Sequence, residues 1–436
     1  MAKQATFVPS WGKRIAGMEG LRAVAAVTVL VGHVKTHLTP ETGWGALGPA
    51  MFILLNGLTL FFALSGFLLF RPFATALLKG DRFPLLGRYA ANRALRIFPA
   101  YVVILLLVSL VLGLAYVEPQ GRSLSETSGT VGYMTNPLLI LVNASMLQTF
   151  FPFSMKTGLS VAWSLTVELV FYVVMPVLAI AAMTIRRRVN GRHLLILALT
   201  PAIVLLVIGI VGKLVREAIF GSLSKELVFF YDWGGNWVAV FSRSFLVHAD
   251  LFAFGMVAAV LVSAFEVGVL RHDLASRFRL AAFGMAAVTL LGSRFVPDTF
   301  EDTAFAVGFG AAIFFVALPS RSGAPGLLAR TLELAPIRYV GLISYSLYLW
   351  HIPVIWLVYR LGFVAPDTGW GLFLNSLLVL AVSVGFASVT YYLVEKPALR
   401  LKRRTDKGGK VTSTGATLNA PTSRPASEDA GRTRAA

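Results

Sequence analysis

Ten apolar stretches of membrane-crossing length succeed one another along this chain, and no fold that keeps its surface in water can bury them all. They run from Gly20 to Thr36, Met51 to Phe70, Pro99 to Val117, Val161 to Thr184, His193 to Lys213, Val247 to Gly268, Phe278 to Leu291, Thr303 to Leu318, Tyr339 to Tyr359 and Gly371 to Leu393. Hydrophobic residues make up 56% of the 436, and the mean hydropathy is +0.74. In hydrocarbon every backbone amide must find its partner within the protein, so stretches of this kind become helices. The expected fold is all-α: a polytopic membrane bundle of about ten transmembrane helices, and the expected location is a cell membrane.

Of the 39 Lys and Arg, 29 fall on one side, in the two terminal segments and in the alternate connections Arg71 to Arg96, Arg186 to Arg192, Arg271 to Arg279 and Arg321 to Arg338. This is the positive-inside pattern, and it places both termini in the cytoplasm. Counting Pro137 to Phe151 as a further span would invert everything after it. That segment is short and carries Asn143, Ser145 and Gln148, so it reads as a re-entrant or surface helix. The organisation is a short basic segment at 1–19, a membrane domain at 20–397 and a basic tail at 398–436, whose Gly, Ser, Thr and Pro content marks it as disordered. A net charge of +18 would suggest nucleic acid in a soluble protein; here the basic residues alternate by side of the membrane and meet anionic lipid instead. The chain has no cysteine, which excludes disulfides, thiolate metal sites and cysteine nucleophiles, and the six histidines are too scattered to suggest a metal site. The first apolar stretch lacks a small-residue cleavage site and reads as a retained helix.

Charged and titratable groups inside such helices are costly, which makes them the functional candidates. Arg22 and His33 share the first span, about 16 Å apart along it. Arg22 lies near the cytoplasmic end, where it suits an anionic ligand or snorkels to headgroups. His33, toward the outer half, can exchange a proton near neutral pH. Glu168 lies about 10 Å into the fourth full span, at a depth that suggests it faces His33 and orients it. Ser65 and Gly66 make a small notch among bulky residues, fit for close helix packing or a ligand tunnel. Arg88, Arg93 and Arg96 precede the third span; Arg93 and Arg96 share a helical face, which suits phosphate, although the positive-inside rule alone would supply such arginines. Tyr345 and His351 belong to a ninth span too polar to face lipid all round, and either line an acceptor cavity or pack internally. The second outer loop interleaves Phe229, Phe230, Tyr231, Trp233 and Trp237 with charges, as an interfacial belt or a sugar-contacting surface would. Motifs of serine hydrolases, zinc proteases and nucleotide hydrolases are absent.

These residues fall into strings that resemble the acyltransferase-3 family of integral membrane O-acyltransferases: EGLRAVAAVTVLVGH around Arg22 and His33, FFALSGFLL from Phe61, RALR from Arg93 to Arg96, WSLTVELVFYVVMP from Trp163, SYSLYLWHIP from Ser344 and VEKP from Val394 to Pro397. The order is the family's, and the resemblance runs from Gly20 to about Pro397. It implies transfer of an acyl group, expected to be acetyl, from cytoplasmic acyl-CoA to a hydroxyl of an envelope carbohydrate or glycolipid. His33 and Arg22 become the catalytic pair, Glu168 an important carboxylate, and Arg93 and Arg96, with Arg88 and Ser65 nearby, the donor contacts. Trp163, Tyr345 and His351 are expected on the acceptor side. No tightly bound cofactor is implied; acyl-CoA is a substrate. The family's usual second acid is missing, since Leu169 and Val170 follow Glu168 here. The short basic tail implies transfer completed within the membrane domain. The rival reading is a transporter or flippase of a lipid-linked sugar, which would move substrate without consuming a donor.

Overall fold

The structure is a computed structural model that describes residues 15–401 apart from 44, 46–47, 120–129, 190–192, 222 and 319–323. All but residues 398–401 of the expected tail, which continue a helix, and most of the N-terminal basic segment lie outside the described residues. What is described is a helical bundle: α1 (Met18–Leu38), α2 (Gly48–Leu54), α3 (Gly57–Lys79), α4 (Leu86–Leu106), α5 (Pro137–Ala144), α6 (Trp163–Arg186), α7 (His193–Phe220) and α8 (Lys225–Trp233). There follow α9 (Trp237–Ser242), α10 (Phe245–Val267), α11 (Ala275–Gly292), α12 (Asp298–Ala317), α13 (Leu327–Leu332), α14 (Ala335–Leu342), α15 (Ser344–Arg360) and α16 (Gly369–Thr390). A two-residue ribbon, β1 (Ala115–Tyr116) with β2 (Val131–Gly132), is antiparallel.

Among the described residues eight helices are long and apolar enough to cross a membrane, and the bent pair α14 and α15 makes nine. The first helix, α1, has 21 residues, about 31 Å, but Glu19, Arg22 and Lys35 dilute its apolar character. The protein is thus a multi-pass membrane bundle, with breaks that hydropathy did not mark. The second span is two helices broken at Leu55 and Asn56, and its crossing helix α3 runs on to Lys79. The ninth bends by 75° at Ile343. The third begins at Leu86, so Arg88, Arg93 and Arg96 are already helical.

Small residues set the closest packing. A Cβ on Gly66 would lie 2.2 Å from Phe252 O, and one on Gly255 1.8 Å from Ala63 O, so α3 and α10 touch backbone to backbone. This contact fixes the notch side of α3 against α10 and leaves Ser65, one residue round the helix, to face α6.

Between α5 and α6 the chain folds inward rather than crossing the surface. Asn136 caps α5 by accepting from the amides of Leu138 and Leu139, with Pro137 at the first turn. Met146, Gln148, Thr149, Ser154, Met155 and Thr157 beyond it are all buried. Met146 and Lys156 both have φ of 58°, a conformation that side chains with a Cβ rarely adopt. Pro137 to Phe151 thus begins as a short helix with only Asn143 buried, and the chain after it turns into the bundle.

Candidate active site

The bundle has a basic end, where Arg22, Arg71, Arg93 and Arg96 gather, and an opposite end, where α1 and α15 finish. At the basic end a cavity of about 100 Å³ is lined by Arg22, Ser65, Arg93, Arg96, Glu168 and Tyr345, together with Tyr172, Ser164, Tyr348 and apolar side chains. Six of the residues singled out in the sequence therefore share one wall. A wider space of about 370 Å³ shares Arg22, Leu68 and Arg96 with it and is lined by Glu19, Arg71 and Pro72 at the helix ends.

The cavity's charges are held unequally. Arg96 pairs with Glu395 at 3.2 Å, and Glu395 also accepts from the Ser346 hydroxyl. Glu168 accepts from Ser65 Oγ at 2.5 Å. Arg22 makes one hydrogen bond among the described residues, donating from Nε to the neutral Ser344 Oγ at 3.2 Å. Arg93 lies 6.0 Å from the Tyr172 ring, and its buried Nε has no partner among the described residues. A half-buried guanidinium bonded only to a hydroxyl, beside another with an orphaned nitrogen, is a site that gains from an anion. Arg88, also half-buried, lies nearer the start of α4 and outside this lining.

Tyr348 connects this cavity to a second cluster. Its hydroxyl lies 2.7 Å from Ser164 Oγ and donates to Val161 O at 3.1 Å. Its ring centroid is 5.5 Å from His351 and 5.8 Å from Phe61. Beyond it His351 Nδ1 donates to Tyr348 O at 2.6 Å, while His33 Nδ1 donates to Val29 O at 2.9 Å. Carbonyls only accept, so both Nδ1 atoms carry the proton and both Nε2 atoms carry the lone pair. His351 Nε2 accepts a share of the His33 Nδ1 proton at 3.3 Å. His33 Nε2 is left basic, without a hydrogen-bond partner among the described residues.

Two expectations need correction. Glu168 does not face His33: it bonds Ser65 and lies within electrostatic reach of Arg22. The cause is the inward fold before α6. The Val161 carbonyl already bonds Tyr348 in mid-bundle, so α6 starts deep and Glu168 lies nearer the basic end than a surface start would put it. Trp163 does not join Tyr345 and His351 either. It packs beside His248 at 5.3 Å and Trp233 at 6.1 Å, with Arg243 above it at 5.2 Å.

Trp233 itself is closed to sugar stacking. Lys156 Nζ lies 2.8 Å and Arg243 Cζ 3.2 Å from its ring centroid, and two cations this close must occupy opposite faces. Asp232 binds the same group, accepting from Arg216 at 3.0 Å and from Arg243 and Ser242. Burial alone would raise the Asp232 carboxyl's pKa, but Arg243 and Arg216 outweigh it and hold the group below the usual carboxylate range. Burial, then the nearby Arg243, pushes the Lys156 ammonium well below the usual lysine range. Sequence reasoning gave no role to Glu395 and Tyr172, and placed Ser344 and Tyr348 only among the inward-looking polar groups of the ninth span. The spacing 344, 345, 348, 351 was a legible stripe on one helix face, whereas nothing local tied Glu395 to Arg96.

The acyltransferase-domain family model matches residues 15–392. A putative peptidoglycan O-acetyltransferase, YrhL of Bacillus subtilis (strain 168), is 25% identical over 389 residues, covering 88% of this chain and 54% of the relative. The peptidoglycan O-acetyltransferase OatA of Listeria monocytogenes serovar 1/2a is 22% identical over 390 residues, covering 88% and 56%. The chain therefore spans about half the length of these curated relatives. No solved structure matches it. With a family match over nearly all of the described bundle, the chain belongs to the acyltransferase family whose members carry this membrane domain.

Proposed function

We propose that the protein transfers an acetyl group from acetyl-CoA, taken up at the basic and cytoplasmic end, to a hydroxyl of an envelope glycan of the peptidoglycan type at the opposite end. The observation that carries this reading is the His33 ring, whose Nε2 keeps its lone pair while its Nδ1 side is linked through His351, Tyr348 and Ser164 to the cavity of Arg22, Arg93 and Arg96. The peptidoglycan O-acetyltransferase relatives supply the acceptor class.

The three arginines hold the donor's phosphates, and the thioester lies at the waist formed by Phe61, Ser164 and Tyr348. His33 Nε2 takes the proton of the acceptor hydroxyl as its oxygen attacks the thioester carbon. The C–O bond forms, the tetrahedral intermediate breaks its C–S bond, and the same proton passes from Nε2 to the departing thiolate. While His33 is charged, its Nδ1–H is a stronger donor, and Val29 O with His351 Nε2 stabilises it. Ser65 and Glu168, with Ser344 and Glu395, position the donor-side groups.

The test uses the full chain in nanodiscs with labelled acetyl-CoA and a muropeptide fragment, following free CoA and labelled glycan together. His33→Ala is expected to lower transfer by about 10²- to 10⁴-fold, the range for loss of a general base, with acetyl-CoA still bound. Wild-type transfer by that variant would overturn the role of His33, and no transfer by the unaltered protein would overturn the reaction.

A further inference from the structure

The line of polar and aromatic rings does not stop at His33. His37, one turn further along α1, lies parallel to it, with 6.2 Å between centroids and 11° between planes. Trp356 of α15 follows 5.5 Å from His37, and Tyr359 lies 5.9 Å from Trp356. Since α1 ends at Leu38 and α15 at Arg360, this row climbs from the basic nitrogen to the end of the bundle opposite the arginine cavity. Trp356 lies five residues, about 7.5 Å, beyond His351.

A tryptophan near a helix end is ordinarily an interfacial anchor with its ring in the headgroups. Trp356 differs. It is half-buried and faces His37, and its indole Nε1–H donates to the Tyr116 hydroxyl at 3.2 Å. Tyr116 is buried and clamped by two backbone hydrogen bonds to Gly158, 3.0 and 2.8 Å long, so the indole is held in a fixed pose by the buried segment before α6. The half-buried His37 ring makes no hydrogen bond among the described residues and so keeps two polar atoms for a ligand. A fixed indole face beside unused hydrogen-bonding atoms fits a sugar ring, which is apolar on its C–H face and polar at its edge.

We propose that His37 and Trp356, braced by Tyr116, form the sugar subsite that presents the acceptor hydroxyl to His33 Nε2. The proposal rests on the functional reading above and names the acceptor contacts that reading lacks. In the transfer step the hydroxyl proton still passes to His33 Nε2; the subsite binds and orients.

The experiment measures kcat and KM for a muropeptide tetrasaccharide with Trp356→Ala, Trp356→Phe and His37→Ala in nanodiscs, with the Kd for acetyl-CoA as the check that each variant is folded. Trp356→Ala is expected to raise the glycan KM by about tenfold or more while the acetyl-CoA Kd stays within about twofold. Trp356→Phe, which keeps a ring and loses the bond to Tyr116, is expected in between. A glycan KM within twofold of wild type in both Trp356→Ala and His37→Ala overturns the subsite while leaving the functional reading intact. An unaltered protein that binds acetyl-CoA but acetylates no glycan overturns that reading, and the subsite with it.

Discussion

The Arg96–Glu395 pair offers the sharpest test of how the arginine cavity is built. The Glu395 side chain is 1% exposed and that of Arg96 19%, and the two meet at 3.2 Å. Arg96→Gln leaves a carboxylate in the interior with only the Ser346 hydroxyl to answer it, a loss of about 3 to 5 kcal/mol. Glu395→Gln leaves a guanidinium that borders the cavity and reaches water, so it is expected to cost less, about 3 kcal/mol at most. The double variant removes both charges and is expected to recover most of the stability, because a neutral amide pair has no buried charge to compensate. Unfolding in mixed detergent micelles, followed by tryptophan fluorescence as denaturing detergent is titrated, gives the cycle. Acetyl-CoA affinity separates structure from function. If Arg96 also holds donor phosphate, the double variant stays folded yet binds acetyl-CoA about tenfold or more weakly, the loss of one charge-assisted hydrogen bond. Additive single costs would refute the pair as a coupled unit, and wild-type affinity in the double variant would refute Arg96 as a donor contact.

The glycine contact and the Asp232 network each give a further test. Gly66→Ala places a methyl 2.2 Å from Phe252 O and is expected to abolish the monodisperse peak in size-exclusion chromatography, whereas Gly87→Ala, with nothing within 4 Å, leaves it unchanged; full yield from Gly66→Ala would refute backbone contact between α3 and α10. The Asp232 carboxyl is held below its usual pKa, so its contribution is fully present above about pH 4 and is lost as the pH falls through the lower folded value. The gap in melting temperature between wild type and Asp232→Asn is therefore expected to be widest near neutral pH and to close in acid, and a gap that stays constant down to pH 3 would refute the charge pairing.

The crossing helices were legible because hydrocarbon imposes one rule on every backbone amide, and that rule leaves a long apolar run in the sequence. Their breaks were not. Asn56 and Ile343 stand at the interruptions of the second and ninth spans; Asn56-Gly57 and Gly341 are local breaker residues, but inside long apolar runs such residues are also tolerated in helices, and tertiary packing decides where the helix stops. Among the site residues, Arg93 and Arg96 were readable from helical spacing, and Tyr345 and His351 from an excess of polarity in one span. Pairings across the chain were not readable. His33 and His351 are 318 positions apart and Arg96 and Glu395 299, and no local pattern encodes a partner at that distance.

The depth of Glu168 shows what one misplaced loop does to a chemical argument. If residues 146–162 ran over the surface, Glu168 would stand level with His33 and the pair would resemble a carboxylate-oriented base. The segment is buried instead, and Tyr348 binds its Val161 carbonyl inside the bundle, so α6 enters late and Glu168 drops to the level of Ser65 and Arg22. Glu168 thereby lines the arginine cavity, and Glu395 pairs with Arg96 at its edge. His33 then takes its tautomer from a backbone carbonyl and a second, neutral histidine. In the proposed transfer, a base oriented by neutral groups gains no proton affinity from a nearby anion and releases its proton readily to a departing thiolate, as a step between a neutral hydroxyl and a neutral thioester requires.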